Sequence, residues 1–464
     1  MSAPTKARAA TAKAAVPILL FTFLFSLITD NGFKFMNLPI SQDLGLSVTE
    51  VSLQATLAGI VIGIGAVVYA ALADAVNIRK LLVIGIALIA VGSIIGFLGQ
   101  SVWMLVLVGR VIQTTGLAAA ETLYVIYVTK HLPEKDQKTY LGFSTACFQL
   151  SFLFGTLAGG AIATYIAWPF MFLLALVSVL AIPVVLKTVP PEEHSISHLD
   201  VAGLAYVAVF ATSLIMWAQA INSLKNWLWL IPAAIGIGLF AWHIKAHSGA
   251  LVRPEFFNPR YASSLLTVLI IYSTQLGLTV IVLPFALNSL HGMELDQVSY
   301  LLVPGYLVGT LVGVFSGAIG KALNSRQTMA VALGCIVGAL VLSALFINTN
   351  VWVLGFAVVL FSAGFAGMYA PLMNTAMSHM PTEKRGVAVG FYNLTINIAV
   401  PLGIAYAAAL VDFLPQEEGS AGLYSMVLWV LVGVAVAGTA FFFISDTAMA
   451  RSERAAGEVP VTAL

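Results

Sequence analysis

Charge is what this sequence of 464 residues has least of: only 9% are Asp, Glu, Lys or Arg, where soluble domains carry roughly 25%. Beside 60% hydrophobic residues and a mean hydropathy of +0.98, that deficit excludes an ordinary water-soluble enzyme, a disordered chain and a nucleic-acid binder. The 21 bases and 20 acids leave a net charge of +1, which gives no support to a polyanionic partner. Cysteine is scarce as well. Cys147 and Cys335 lie in apolar stretches and read as small buried residues, so neither a disulfide nor a metal pair is implied. The sequence also lacks a Gly-x-x-x-x-Gly-Lys-Ser/Thr nucleotide loop and a Ser/His/Asp grouping at catalytic spacing. No metal site, nucleotide or cofactor is expected, and no enzymatic activity.

What the chain has in abundance is apolar runs long enough for lipid. A bilayer core of ~30 Å needs about 20 apolar residues per helix. That ruler gives fourteen candidate spans, at about 15–38, 51–73, 81–100, 103–129, 140–165, 168–187, 201–221, 227–246, 263–288, 298–320, 327–347, 351–377, 386–411 and 423–446. The first resembles a signal peptide in its basic start, but its apolar run continues past Asp30 to Pro39 without a small-residue cleavage pattern, so an uncleaved span is the stronger reading. An even count places both termini on one side. Eighteen of the 21 bases fall on that side, Lys225 falls opposite, and Lys34 and Arg110 lie inside spans, which predicts cytoplasmic termini.

The polar stretch from Lys187 to Asp200, with Pro190-Pro191, divides the chain. The expected layout is a cytoplasmic tail at 1–14, a six-helix bundle at 15–188, a linker with two additional spans at 189–262, a second six-helix bundle at 263–447 and a cytoplasmic tail at 448–464. Two helical bundles with a site near the midplane are the signature of many secondary transporters.

Four ionisable residues inside the spans are the chemically informative ones, because such groups are expensive in lipid and need a partner or a role. Arg110 lies about 10 Å below the outer end of its helix, and Asp30, on an antiparallel helix, about 13 Å below its own. The matching depths predict that they pair, with Lys34, one turn from Asp30, competing for the same carboxylate. Glu121 lies about three turns from Arg110 on the same face, with no base near it in its own helix. It is the candidate proton carrier, and Asp30 the group that exchanges partners. A static ion cluster, with Glu121 bonded to a neighbouring helix, is the alternative.

Three further groups carry weaker signals. Asp74, Arg79 and Lys80, between the second and third spans, either lock and release a helix end or simply fix topology. Gly155, Gly159 and Gly160 at close spacing permit tight helix packing, and Gly305, Gly309, Gly313 and Gly317 form a similar ridge. Gln113, Gln149, Tyr272, Gln275, Asn393 and Asn397 are cavity candidates that also suit polar contacts between helices.

Together these residues resemble the major facilitator superfamily, and within it the fourteen-span drug/proton antiporters that include tetracycline and quinolone efflux pumps. Residues 70–82 look like the family's first cytoplasmic loop, with Asp74, Arg79 and Lys80 in place but Ala70 and Asn77 where glycines are usual. Arg110, Gln113 and Gly116 match the Arg-x-x-Gln-x-x-Gly pattern of the fourth span, where the resemblance implicates the arginine in proton transfer. Asp30 followed by Leu38-Pro39 fits the first-span pattern. Gly155, Gly159 and Gly160 fit the antiporter pattern of the fifth, with Thr156 in place of its proline. Asp200-Val201-Ala202-Gly203 and Arg253-Pro254-Glu255-Phe256-Phe257 resemble loops of the fourteen-span branch.

The resemblance implies an all-α integral membrane protein with the major facilitator fold, two six-helix bundles plus two extra helices. Its expected role is a proton-coupled antiporter that exports small amphipathic or charged compounds by alternating access, driven by the proton gradient. Its expected setting is a bacterial plasma membrane, as a monomer. A transporter of a metabolite, lipid or siderophore, or a proton symporter for uptake, shares every feature read here.

Overall fold

The computed structural model describes residues 6–190, 200–219, 223–247, 250, 254–380, 385–455 and 461–463. The described residues are predominantly helical, with no strand among them. This is the arrangement in which a backbone satisfies its own polar groups inside lipid. The first half runs α1 (Lys6–Phe35), α2 (Asn37–Leu44), α3 (Val48–Ala75), α4 (Ile78–Leu98), α5 (Trp103–His131), α6 (Glu134–Tyr165), α7 (Phe170–Ala175) and α8 (Ile182–Thr188). Next come α9 (Val201–Gln219), α10 (Leu230–Ala246), α11 (Pro259–Tyr272), α12 (Leu283–His291) and α13 (Leu295–Val314). The chain continues through α14 (Ser316–Ala322), α15 (Ser325–Phe346), α16 (Val351–Met377), α17 (Arg385–Phe413) and α18 (Ala421–Ala455).

Among the described residues, 13 helical stretches are long and apolar enough to cross a membrane. Leu150–Tyr165, within α6, is a shorter apolar helix at the fifth expected span. Local sequence explains most boundaries. Gly45 and Gly292 take left-handed φ of 63° and 61° and end α2 and α12, a conformation that costs glycine little. Asn77, Asn258, Asn324 and Asn350 cap the starts of α4, α11, α15 and α16 with their side-chain oxygens.

Two expected spans, each still long and apolar enough to cross a membrane, depart locally from regular α-helix, and one expectation needs correction. The stretch 168–187 is not one α-helix but α7, a 3-10 segment over Leu176–Ala181, and α8. The stretch 263–288 is interrupted by a π-helical turn at Gly277–Val282. The glycine ridge on α13 stops early. Gly305 and Gly309 pack on α16 against Val358 and Ser362, but α13 ends at Val314 and a Cβ on Gly317 would meet nothing within 4 Å.

The chain divides into two compact units, Met1–Gly45 with Leu57–Leu199, and Leu46–Thr56 with Asp200–Leu464. In the first, α4 lies so close to α5 that a Cβ on Gly92 would overlap the backbone of Gly109 and Gln113. α1 packs on α6 and α5. A Cβ on Gly155 of α6 would lie 2.9 Å from the Ile28 carbonyl oxygen, and Gly159 approaches Gly32. Gly160 is buried. Small residues therefore set the helix spacing, as they must where water supplies no hydrophobic drive. Thr156 leaves α6 continuous.

In the second unit, α15 and α13 pack on α16, α18 on α15 and α11, and α17 on α11 and α9. The Asp412 carboxylate of α17 accepts from the backbone N–H groups of Val48 and Thr49, at 3.1 and 2.6 Å. It thereby satisfies two of the donors that a helix start leaves open.

Candidate functional site

The first unit brings the predicted charges together. α1 carries Asp30, Phe33 and Lys34, and α5 carries Arg110, Gln113 and Thr114. Arg110 Nη2 donates to Asp30 Oδ1 at 3.1 Å, and Lys34 binds Asp30 Oδ2. Lys34 is therefore a co-partner rather than a competitor, because a carboxylate has two oxygens to offer. Arg110 Nη1 donates to Gln113 Oε1 at 2.6 Å, and Gln113 Nε2 passes the chain on to Ser93 Oγ of α4 at 2.9 Å. The Arg110 guanidinium also stands 4.3 Å from the centre of the Phe33 ring. Asp30 and Arg110 are only 3% and 1% exposed, so this network is closed to bulk water on most sides. Lys34 is its more open edge, with a side chain 12% exposed.

Glu121 lies on the same helix as Arg110. It is within electrostatic reach of Asp30 and Lys34, but its buried Oε1 has no hydrogen-bond partner among the described residues. A second link, Asn31 Nδ2 to Ser151 Oγ at 2.9 Å, ties α1 to α6 beside this network.

The other candidates are less tightly assembled. Arg79 offers its backbone N–H to the Asn77 cap, and Lys80 is exposed. The side chains of Asp74 and Gln149 lie outside the described residues. In the second unit, Tyr272 is buried against Phe365, with ring centroids 5.3 Å apart. Asn397 bonds back to the Asn393 carbonyl of its own helix at 3.1 Å, and Gln275 is half-buried. No hydrogen bond joins Tyr272 or Gln275 to these asparagines among the described residues.

Sequence reasoning missed three features. Lys130 Nζ donates to the Ala73 carbonyl at the end of α3, at 3.1 Å. Arg260 binds two acids of α18: its Nη1 reaches Asp446 Oδ1 at 2.5 Å, and its Nε and Nη2 reach the two oxygens of Glu453 at 2.6 and 2.7 Å. Tyr392, fully buried on α17, has a hydroxyl without a partner among the described residues. Asp446, an acid at the end of the last apolar run, was the available signal for the Arg260 cluster. The tyrosine gave none.

The chain is similar to several known proteins. The Major Facilitator Superfamily profile matches residues 19–404. The chain is similar to the quinolone resistance protein NorB of Staphylococcus aureus (strain bovine RF122 / ET3-1), at 25% identity over 408 residues, covering 85% of this chain and 86% of that protein. Among solved structures, the POT family transporter PepTSo superposes with a TM-score of 0.69 at 12% identity, covering 95% of this chain and 98% of that one. A D-xylose-proton symporter gives 0.65 at 15% identity, covering 94% and 97%. At such identities these structures show the shared fold alone. With the profile spanning most of a multi-helical membrane chain, this protein belongs to the major facilitator superfamily.

Proposed function

We propose that this transporter exports small amphipathic compounds, of which quinolones are the first to test, in exchange for protons across a bacterial plasma membrane. The observation that carries the reading is the contrast within one site. Asp30 is held by Lys34 and Arg110, while Glu121 keeps a buried oxygen with no donor among the described residues. Intramembrane acids are functional by default. Glu121 is the group with room to take and release a proton, and Asp30 the group that exchanges cationic partners when Glu121 changes charge. Substrate and proton then compete for one electrostatic environment, and a ligand shifts the conformational balance only by its differential affinity for the two states. Both termini face the cytoplasm in this scheme, and no cofactor enters it.

The relatives named for quinolone resistance supply the substrate class, and the Arg-x-x-Gln-x-x-Gly helix supports the coupling. The test is flux in proteoliposomes carrying an internal pH dye. Addition of norfloxacin to vesicles with an imposed pH gradient should move protons opposite to the drug. Glu121→Gln and Asp30→Asn should each abolish that movement. Undiminished proton coupling in both variants sinks the reading, and drug and proton moving together would make the protein a symporter.

A further inference from the structure

The second unit contains phenol groups that this cycle does not use. Tyr272 ends α11, Tyr369 lies on α16 and Tyr392 on α17. The rings of Tyr369 and Tyr392 meet edge to face, with centroids 6.3 Å apart. Tyr272 packs edge to face on Phe365, one turn before Tyr369. The three phenols are within electrostatic reach of one another.

Two neighbouring tyrosines show what a completed phenol looks like here. Tyr261 donates to the Ala388 carbonyl at 2.7 Å, and Tyr406 to the Ser273 carbonyl at 3.1 Å. Tyr392 is 0% exposed and its hydroxyl has no partner among the described residues. The hydroxyls of Tyr272 and Tyr369 also make no hydrogen bond among the described residues, but of the three only the Tyr392 oxygen is completely buried. Buried hydroxyls are normally paired, because an unpaired one forfeits its hydration without compensation. By that rule the Tyr392 hydroxyl is a buried donor that still wants an acceptor, and the Tyr369 ring meets its ring edge to face. Tyr369 is only half-buried and forms the open edge of the group.

We infer that Tyr272, Tyr369 and Tyr392 form a hydrogen-bond-donor subsite for the carbonyl oxygen of a planar aromatic ligand. The rings supply edge and face contacts to a flat ligand, and the hydroxyls supply the donors that its carbonyl accepts. No charged side chain belongs to the group, which suits an uncharged acceptor rather than an ion. The inference deepens the reading of this protein as a carrier of amphipathic compounds, and it does not depend on proton coupling or direction.

The test is equilibrium binding of norfloxacin to the purified full-length protein in detergent. It is followed by the drug's fluorescence anisotropy without any gradient, with the melting temperature measured in parallel. Tyr392→Phe removes one oxygen and keeps the ring. It should weaken binding about five- to tenfold, the worth of one hydrogen bond, without lowering the melting temperature. Tyr261→Phe, which breaks a completed bond, should lower the melting temperature and leave the affinity unchanged. Wild-type protein that does not bind the drug, or a Tyr392→Phe variant with unchanged affinity, overturns the inference. So does a Tyr392→Phe variant that loses affinity and stability together, since the hydroxyl then has an internal partner. Binding that behaves as expected beside absent proton coupling would overturn the antiport reading and leave this one standing.

Discussion

The ionic clusters of the two units use the same residue types to different ends. In the second unit, Arg260 grips Glu453 with two nitrogens and Asp446 with a third, and the Thr462 hydroxyl and Val461 N–H add donors to the same acids. Among the described residues Asp446 Oδ2 finds no hydrogen bond, but the Arg326 Nε stands 3.5 Å from it. In the first unit, one carboxylate serves two cations, and a second acid, Glu121, keeps an oxygen with no donor among the described residues. The number of buried charges does not separate the clusters, nor does an acid oxygen without a hydrogen bond; what separates them is that each acid of the second has a cation at its carboxylate. A network paired in that way by a bidentate arginine fixes helices in place, whereas an acid without a paired cation can accept a proton or trade a partner.

Arg260→Met is the strongest way to break this contrast. It leaves Asp446 and Glu453 without their main cation, and breaking a buried pair costs about 3–5 kcal/mol. Thermal unfolding in detergent should show a large fall in melting temperature. A variant that melts like the wild type would erase the distinction between the clusters.

Lys34→Met probes the other side. Asp30 keeps Arg110 at 3.1 Å, so the loss of stability should be smaller than the about 3–5 kcal/mol expected where a buried acid loses its main cation. Drug-driven proton flux should fall about tenfold, a change of about 1.4 kcal/mol in the barrier. Equal losses of stability and flux would make Lys34 structural. The smallest effect belongs to Thr462→Val, which removes one hydroxyl from an otherwise well-held acid. It should cost about 1 kcal/mol and leave flux intact, and a flux defect would show that the second cluster is not merely structural.

The readable part of this molecule was what depends on counting along single helices. Apolar length predicts the spans, and the depths of Asp30 and Arg110 in antiparallel helices predict their contact. What such counting leaves out depends on how a helix deviates locally or on which helices are neighbours. The 3-10 segment at Leu176–Ala181 and the π-turn at Gly277–Val282 have the composition of ordinary apolar helix, so nothing in the sequence marks them. Lys34 was read as a rival to Arg110 because the count gives proximity but not which carboxylate oxygen each base takes. Tyr369 and Tyr392 stand 23 residues apart on different helices, and only packing brings their rings together. Arg260 looked like one more base setting topology, because its two acids lie nearly 200 residues away on α18.

The bond from Lys130 to the Ala73 carbonyl has a consequence for how such a protein diverges. Its acceptor is main chain, which every substitution at position 73 other than a change of backbone path preserves. A tether of that kind holds the end of α3 to Lys130 whatever side chain stands at position 73.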